Sequence, residues 1–160
     1  NLGIPQNIES FIKNLTNSSG QYKLKIYGSG SRYEDIKKME SENINVNPYT
    51  DRSEILKETK NSTFALVSLS SSLTVEGFPG KTFDYLKMNK ILIGYSNPSS
   101  GLARFIKKYK VGINIDPENP DIDNALKDLK NLDEIYQNIE DVNLKYANLN
   151  TVSQQYLSLL

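Results

Sequence analysis

The chain contains no cysteine and no histidine. Disulfides, thiolate catalysis, zinc sites of the usual kind and a histidine general base are therefore excluded, and most hydrolase triads go with them. An excess of charge of either sign is missing too: 19 basic residues balance 19 acidic ones, so no global field draws a nucleic acid or an anionic membrane surface. Any phosphate must be caught locally. No apolar run approaches the roughly 20 residues that a membrane span needs. Asn-x-Ser/Thr sequons stand at Asn14, Asn17 and Asn61. They would matter only in a secreted protein, and a chain this rich in Asn and Ser produces them by chance.

What is present is an alternation of helical and strand patterns. The 160 residues suffice for one domain, since chains of this size bury about 70% of their unfolded surface. Ile8, Phe11, Ile12 and Leu15 repeat at helical spacing, and residues 22–27 (YKLKIY) then alternate as a strand that stops at Gly28-Ser29-Gly30. A short charged helix is expected over residues 32–39, and a strand over 44–47 (INVN) ends at Pro48. Asp51 or Ser53 caps the next helix, with Glu54 spaced for a capping box. Residues 64–69 (FALVSL) and 90–95 (KILIGY) are nearly continuous apolar runs, as in parallel strands covered on both faces. A helix over 101–109, a last strand VGINI and further helices carrying Ile122, Ala125, Leu126, Leu129, Leu132, Ile135, Tyr136 and Ile139, then Leu149, Val152 and Tyr156, complete the chain.

This order predicts an α/β fold, a doubly wound parallel sheet of Rossmann type with helices on both faces and helices at the C-terminus. Ligands in such sheets bind beyond the carboxyl ends of the strands. Those ends are Gly28-Ser29-Gly30, Pro48-Tyr49-Thr50, the loop over residues 68–78, and residues 96–100, all rich in Gly, Ser or Pro. The dinucleotide fingerprint G-x-G-x-x-G fails, because its third glycine position is Tyr33. Gly28 and Gly30 therefore serve either a tight turn or a ligand's phosphate or base.

Residues 75–86, VEGFPGKTFDYL, are the most informative stretch. Pro79 suits the first helical turn, and Gly80 and Lys81 put backbone N–H groups, the positive end of a helix dipole and an ammonium at one point, which suits a diphosphate. A carboxylate beside a diphosphate is repelled unless it reaches past it to hydroxyls, and sugars supply those. Glu76 and Asp84 are placed to do so; otherwise Glu76 is a solvated loop acid and Asp84 an i,i+3 partner for Lys81.

Glu76 followed by Asp84 resembles the Glu-x7-Glu pattern in the C-terminal, nucleotide-sugar domain of retaining GT-B glycosyltransferases of the family-4 or group-1 type. KIYGSGSRYEDIKK, EGFPGKTFDYLKMNKILIGY, VGINIDPENPDIDNALKDL and NLKYANLNTVSQQYLSLL resemble successive pieces of that domain, so the likeness spans nearly the whole chain. It implies a hexosyltransferase donor site in which Glu76 faces the sugar, Asp84 holds the ribose hydroxyls, and the backbone of Gly80 to Thr82 receives the diphosphate. Gly28, Gly30, Tyr49, Phe78 and Pro79 would complete the site around the donor. Lys81 resembles the lysine at this helix start in polysaccharide-assembly members. The donor would be a UDP- or GDP-type nucleotide sugar, with no cofactor and no obligatory metal. The acceptor, a saccharide or a lipid-linked one, would be held by an N-terminal domain. The resemblance implies a bacterial-like, cytoplasmic enzyme of cell-surface polysaccharide biosynthesis, peripheral on the inner face of the membrane, with no nucleic acid and no membrane span.

Two departures stand out. The second acid is Asp, one methylene shorter than Glu, and the basic pair that follows the family's first strand is replaced by NLG, which resembles the Gly-Asn-Leu-Gly turn of capsular-polysaccharide members. That first strand and the N-terminal domain are absent from residues 1–160, which are expected to be a single donor-binding domain of a larger enzyme, inactive alone. The absent strand would lie between the strands at 22–27 and 64–69 and leave a slot lined by Leu24, Ile26, Ala65 and Val67. The alternatives are a non-catalytic nucleotide- or partner-binding module and a nucleotide-sugar epimerase of the same architecture.

Overall fold

A computed structural model of the chain describes residues 1–20, 22–74, 76–77 and 79–146. After a 3-10 turn at Ile4–Gln6 come α1 (Ile8–Thr16), β1 (Leu24–Gly28), α2 (Tyr33–Lys37), β2 (Ile44–Pro48), α3 (Arg52–Lys60) and β3 (Phe64–Ser68). They are followed by α4 (Lys81–Lys87), β4 (Ile91–Tyr95), α5 (Gly101–Tyr109), β5 (Gly112–Ile115), α6 (Ile122–Lys127) and α7 (Leu132–Tyr146). The fold is α/β, every strand pair is parallel, and helices cover both faces. The expected stripe at Leu149, Val152 and Tyr156 lies outside the described residues.

The strands do not form one sheet. β1 pairs with β2, Leu24 opposite Ile44, while β3 pairs with β4 and β4 with β5, Phe64 opposite Ile91 and Leu92 opposite Gly112. The break between the two sheets falls between β1 and β3.

The continuous apolar run at Ile91–Tyr95 becomes the best-covered strand, with all five residues buried. On one face Val67, Leu69 and Leu86 join Leu102, Ile106, Ile139 and Val142 from α5 and α7. On the other, Phe11 and Leu15 of α1 pack on Ile93, Tyr95, Ile115 and Ile122. Each such side chain, fully buried, contributes about 1.5–3 kcal/mol. Tyr95 is buried in a T-shaped contact with the Phe11 ring, and its hydroxyl exchanges a hydrogen bond with Ser10 at 2.8 Å and accepts one from the Asn14 amide at 2.9 Å. The sequon asparagine at position 14 is thus spent on the core.

Local corrections are small and physical. The capping box at α3 does not form: Glu54 accepts from the Thr50 hydroxyl at 2.9 Å instead, and Asp51 makes no side-chain cap. β1 begins two residues later than the alternation suggests and includes Gly28.

Candidate functional site

Residues 1–6 lie as a strap across the carboxyl ends of β1 and β3. The Leu2 N–H donates to the Ser29 carbonyl at 2.9 Å, Arg32 N–H donates to the Leu2 carbonyl at 3.0 Å, and Ser70 N–H donates to the Pro5 carbonyl at 2.8 Å. The buried Ser68 hydroxyl donates to the Gln6 carbonyl. This strap gives Gly28 and Gly30 a use that involves no ligand. A Cβ on Gly30 would stand 2.4 Å from the Leu2 carbonyl oxygen, at a φ of +150°, and one on Gly28 would touch the Leu2 side chain at 3.1 Å. The glycine turn is tight because the strap rests on it.

The loop after β4 is also more committed than its composition suggests. Ser96 and Ser100 are buried and bonded to each other at 2.9 Å, Ser96 donates to the Asn114 Oδ1 at 2.7 Å, and Ser100 caps α5 through the Ala103 N–H. These serines hold the loop, and the exposed residues of the rim include Tyr49, Glu76, Gly77, Gly80 and Asp84. Tyr49 is exposed, at 66% of its surface.

Around α4 the expected residues separate into three directions. Glu76 is exposed and ion-paired with Arg104, whose guanidinium also donates to the Ser99 carbonyl at 2.6 Å. Its carbonyl rests on Gly101, so this loop is docked against the start of α5. Asp84 projects into solvent, with no side-chain partner among the described residues. Lys81 turns instead into the cleft between β1 and β3 beside Tyr85. Burial holds the Lys81 ammonium below the usual lysine range, and among the described residues it pairs with no acid. Burial likewise raises the Tyr85 phenol, with the Asp84 charge adding to it. The spacing of Lys81 and Asp84 therefore does not make an ion pair, while Leu86 is buried and Phe83 packs against the core.

At the turn into α4 the described residues leave room. Most of the nine glycines would bring a Cβ against a neighbour, but at Gly77 and Gly80 an added Cβ meets nothing within 4 Å among the described residues. Thr82 is wholly buried, and its hydroxyl has no hydrogen-bond partner among the described residues. Such a group costs about 1–3 kcal/mol unless something bonds it. The Thr82 and Phe83 N–H groups already donate to the Pro79 and Gly80 carbonyls, both at 3.0 Å, so the Thr82 N–H is not free for a diphosphate. Phe78 lies outside the described residues.

No known family model matches the chain, and no curated protein matches it. Among the described residues no helix is long and apolar enough to cross a membrane.

Sequence reasoning missed Arg104 and the strap. Arg104 lies 28 residues beyond Glu76, and only the tertiary fold joins them. The strap's signal is weak: Gly3 and Pro5 punctuate residues 1–6, but nothing local says what they cross.

Proposed function

We propose that this chain is the nucleotide-sugar-binding domain of a retaining GT-B glycosyltransferase, of the kind that transfers a hexosyl unit to a saccharide or lipid-linked acceptor in polysaccharide assembly. The observation that carries the reading is the glycine turn at the start of α4, open among the described residues, with a Thr82 hydroxyl that has no partner among them and a carboxylate on either side. It sits at the carboxyl end of a parallel sheet, where this architecture exposes its ligands. The sequence likeness around Glu76 and Asp84 supports the same assignment.

In this reading the diphosphate lies over Gly80 and is neutralised by Lys81, whose long stem lets the ammonium leave the cleft. Asp84 accepts from the ribose hydroxyls. Glu76 releases Arg104 to meet the sugar, a small cost because exposed ion pairs are worth about 0–1 kcal/mol. Preorganised dipoles and a cation at the departing diphosphate supply the stabilisation that a metal would otherwise give. Transfer itself requires an acceptor domain.

Chemical-shift mapping with UDP and GDP tests the location. Shifts should concentrate at Tyr49, Gly77 and residues 80–84; shifts confined to the amino ends of the strands would refute it. Glu76→Gln should leave nucleoside diphosphate affinity within about twofold and weaken the corresponding nucleotide sugar roughly five- to thirtyfold. Equal losses for both ligands would show that Glu76 does not face the sugar.

A further inference from the structure

The end of α5 and the helix α7 share a hollow of about 310 Å³, lined by Lys108, Tyr109, Lys110, Asn138, Asp141 and Lys145. Three lysines and one aspartate thus stand on its walls. The aspartate is engaged, its Oδ1 accepting from the Gln137 amide at 3.3 Å, and Lys110 is paired with Glu134 at 3.6 Å. Lys108 and Lys145 have no acid partner among the described residues. Lysines in the last turn of a helix ordinarily answer its dipole. Here Lys108 Nζ stands 5.4 Å from the centre of the Tyr109 ring, and Lys145 Nζ, which comes from α7, stands 5.5 Å from the same ring and 5.4 Å from that of Tyr146. Two helices bring two ammoniums to one aromatic ring.

The tyrosines supply donors. Their rings make a T-shaped contact with centroids 5.8 Å apart, and their hydroxyls share a hydrogen bond. One hydroxyl donates to the other, so the second keeps a proton to give to a ligand oxygen. The bond to Tyr146 and the two ammoniums hold the Tyr109 phenol below the usual tyrosine range. Tyr109 packs in turn on Phe105, with centroids 4.9 Å apart, and Phe105 packs against the core, so the donors rest on a fixed base.

We propose that this hollow binds a small phosphorylated molecule, whose phosphate dianion sits between the Lys108 and Lys145 ammoniums and accepts from the Tyr109–Tyr146 pair. Ammoniums act as point charges that suit a tetrahedral phosphate, whereas a planar carboxylate is matched best by the fork of an arginine. About 300 Å³ is the lower end of small-molecule sites, which leaves room beside the phosphate for a body of roughly sugar size. A concave site favours a soluble ligand over a flat anionic membrane. This site is independent of the nucleotide reading at α4.

The test titrates the full chain with inorganic phosphate and with glucose 6-phosphate, followed by chemical shifts. Both should bind, with shifts concentrated at Tyr109, Lys110, Asn138 and Lys145, and glucose 6-phosphate should bind more tightly. The Tyr109 phenol, read from its ring signals, should titrate at higher pH with phosphate bound, because a nearby anion disfavours the phenolate. Lys108→Gln and Lys145→Gln should each weaken binding roughly five- to thirtyfold. Lys57→Gln on α3 removes the same charge elsewhere and should leave affinity within about twofold. All three lysines are exposed, so equal melting temperatures are expected. No binding by either phosphate, an equal loss from Lys57→Gln, or an unshifted Tyr109 would each overturn the proposal. So would binding to phosphatidic acid vesicles by a chain that binds neither soluble phosphate, a result that would assign the patch to a membrane surface.

Discussion

Gly112→Ala should lower the melting temperature by about 10–15 °C, corresponding to about 3–5 kcal/mol. Gly112 opens β5 at a φ of +155°, a region that favours glycine, and an added Cβ would stand 1.9 Å from the Leu92 carbonyl oxygen. That oxygen belongs to β4, whose residues are all buried, so the clash cannot be relieved by moving it. The chain must shift β5 instead, which strips Ile115 and the helix α6 that follows from the α1 face of the core. Against a typical total of about 5–15 kcal/mol, such a loss leaves a marginal domain. A thermal melt followed by circular dichroism measures it. A drop under about 3 °C would mean that β5 contributes little to the sheet.

The second large effect is functional. Asp84→Asn should weaken nucleoside diphosphate binding by about 1–2 kcal/mol, roughly five- to thirtyfold, without changing the melting temperature. The carboxylate is exposed, has no side-chain partner among the described residues and lies on the outer side of α4, so the fold does not depend on its charge. The amide keeps the size and one acceptor. In the proposed site, what the substitution would remove is the charge-assisted bond to a vicinal hydroxyl pair. Calorimetric titration with the nucleotide reads the change directly; unchanged affinity would remove Asp84 from the site.

The elements were legible where burial is two-sided or amphipathic. The runs FALVSL and KILIGY announced β3 and β4 because parallel strands covered on both faces need no polar alternation. α5 was legible from Leu102 and Ile106 on one stripe, with its serine cap at Ser100 supplied by the fold. What stayed hidden depends on contacts distant in sequence. Gly101 is glycine because the Glu76 carbonyl rests on it, and Lys90 is buried because its ammonium donates to the carbonyls of Lys60 and Ser62 at 2.8 and 2.7 Å. Neither could be read from neighbours.

The candidate site was legible as a list of residues and less so as a geometry. Spacing put Lys81 and Asp84 on adjacent positions of one helix, but the direction of a lysine stem is set by where space is, and the space is the cleft between β1 and β3. The strap at the end of the same cleft bears on the glycine turn, for which the sequence leaves open both a tight turn and a ligand contact. Gly28 and Gly30 match a phosphate loop in composition, yet the strap that crosses the cleft's end already occupies the approach to them. Gly77 and Gly80, by contrast, have open space in front of them among the described residues.

In the proposed function, the rim around α4 recognises a nucleoside diphosphate as the carrier of a sugar. Parallel calorimetric titrations of the intact chain with UDP, GDP, their triphosphates and NAD test it most directly. One of the two diphosphates should bind more tightly than its triphosphate and more tightly than the dinucleotide, and its sugar conjugate should bind as well. A preference for a triphosphate or for the dinucleotide, or no binding by either diphosphate, would contradict it.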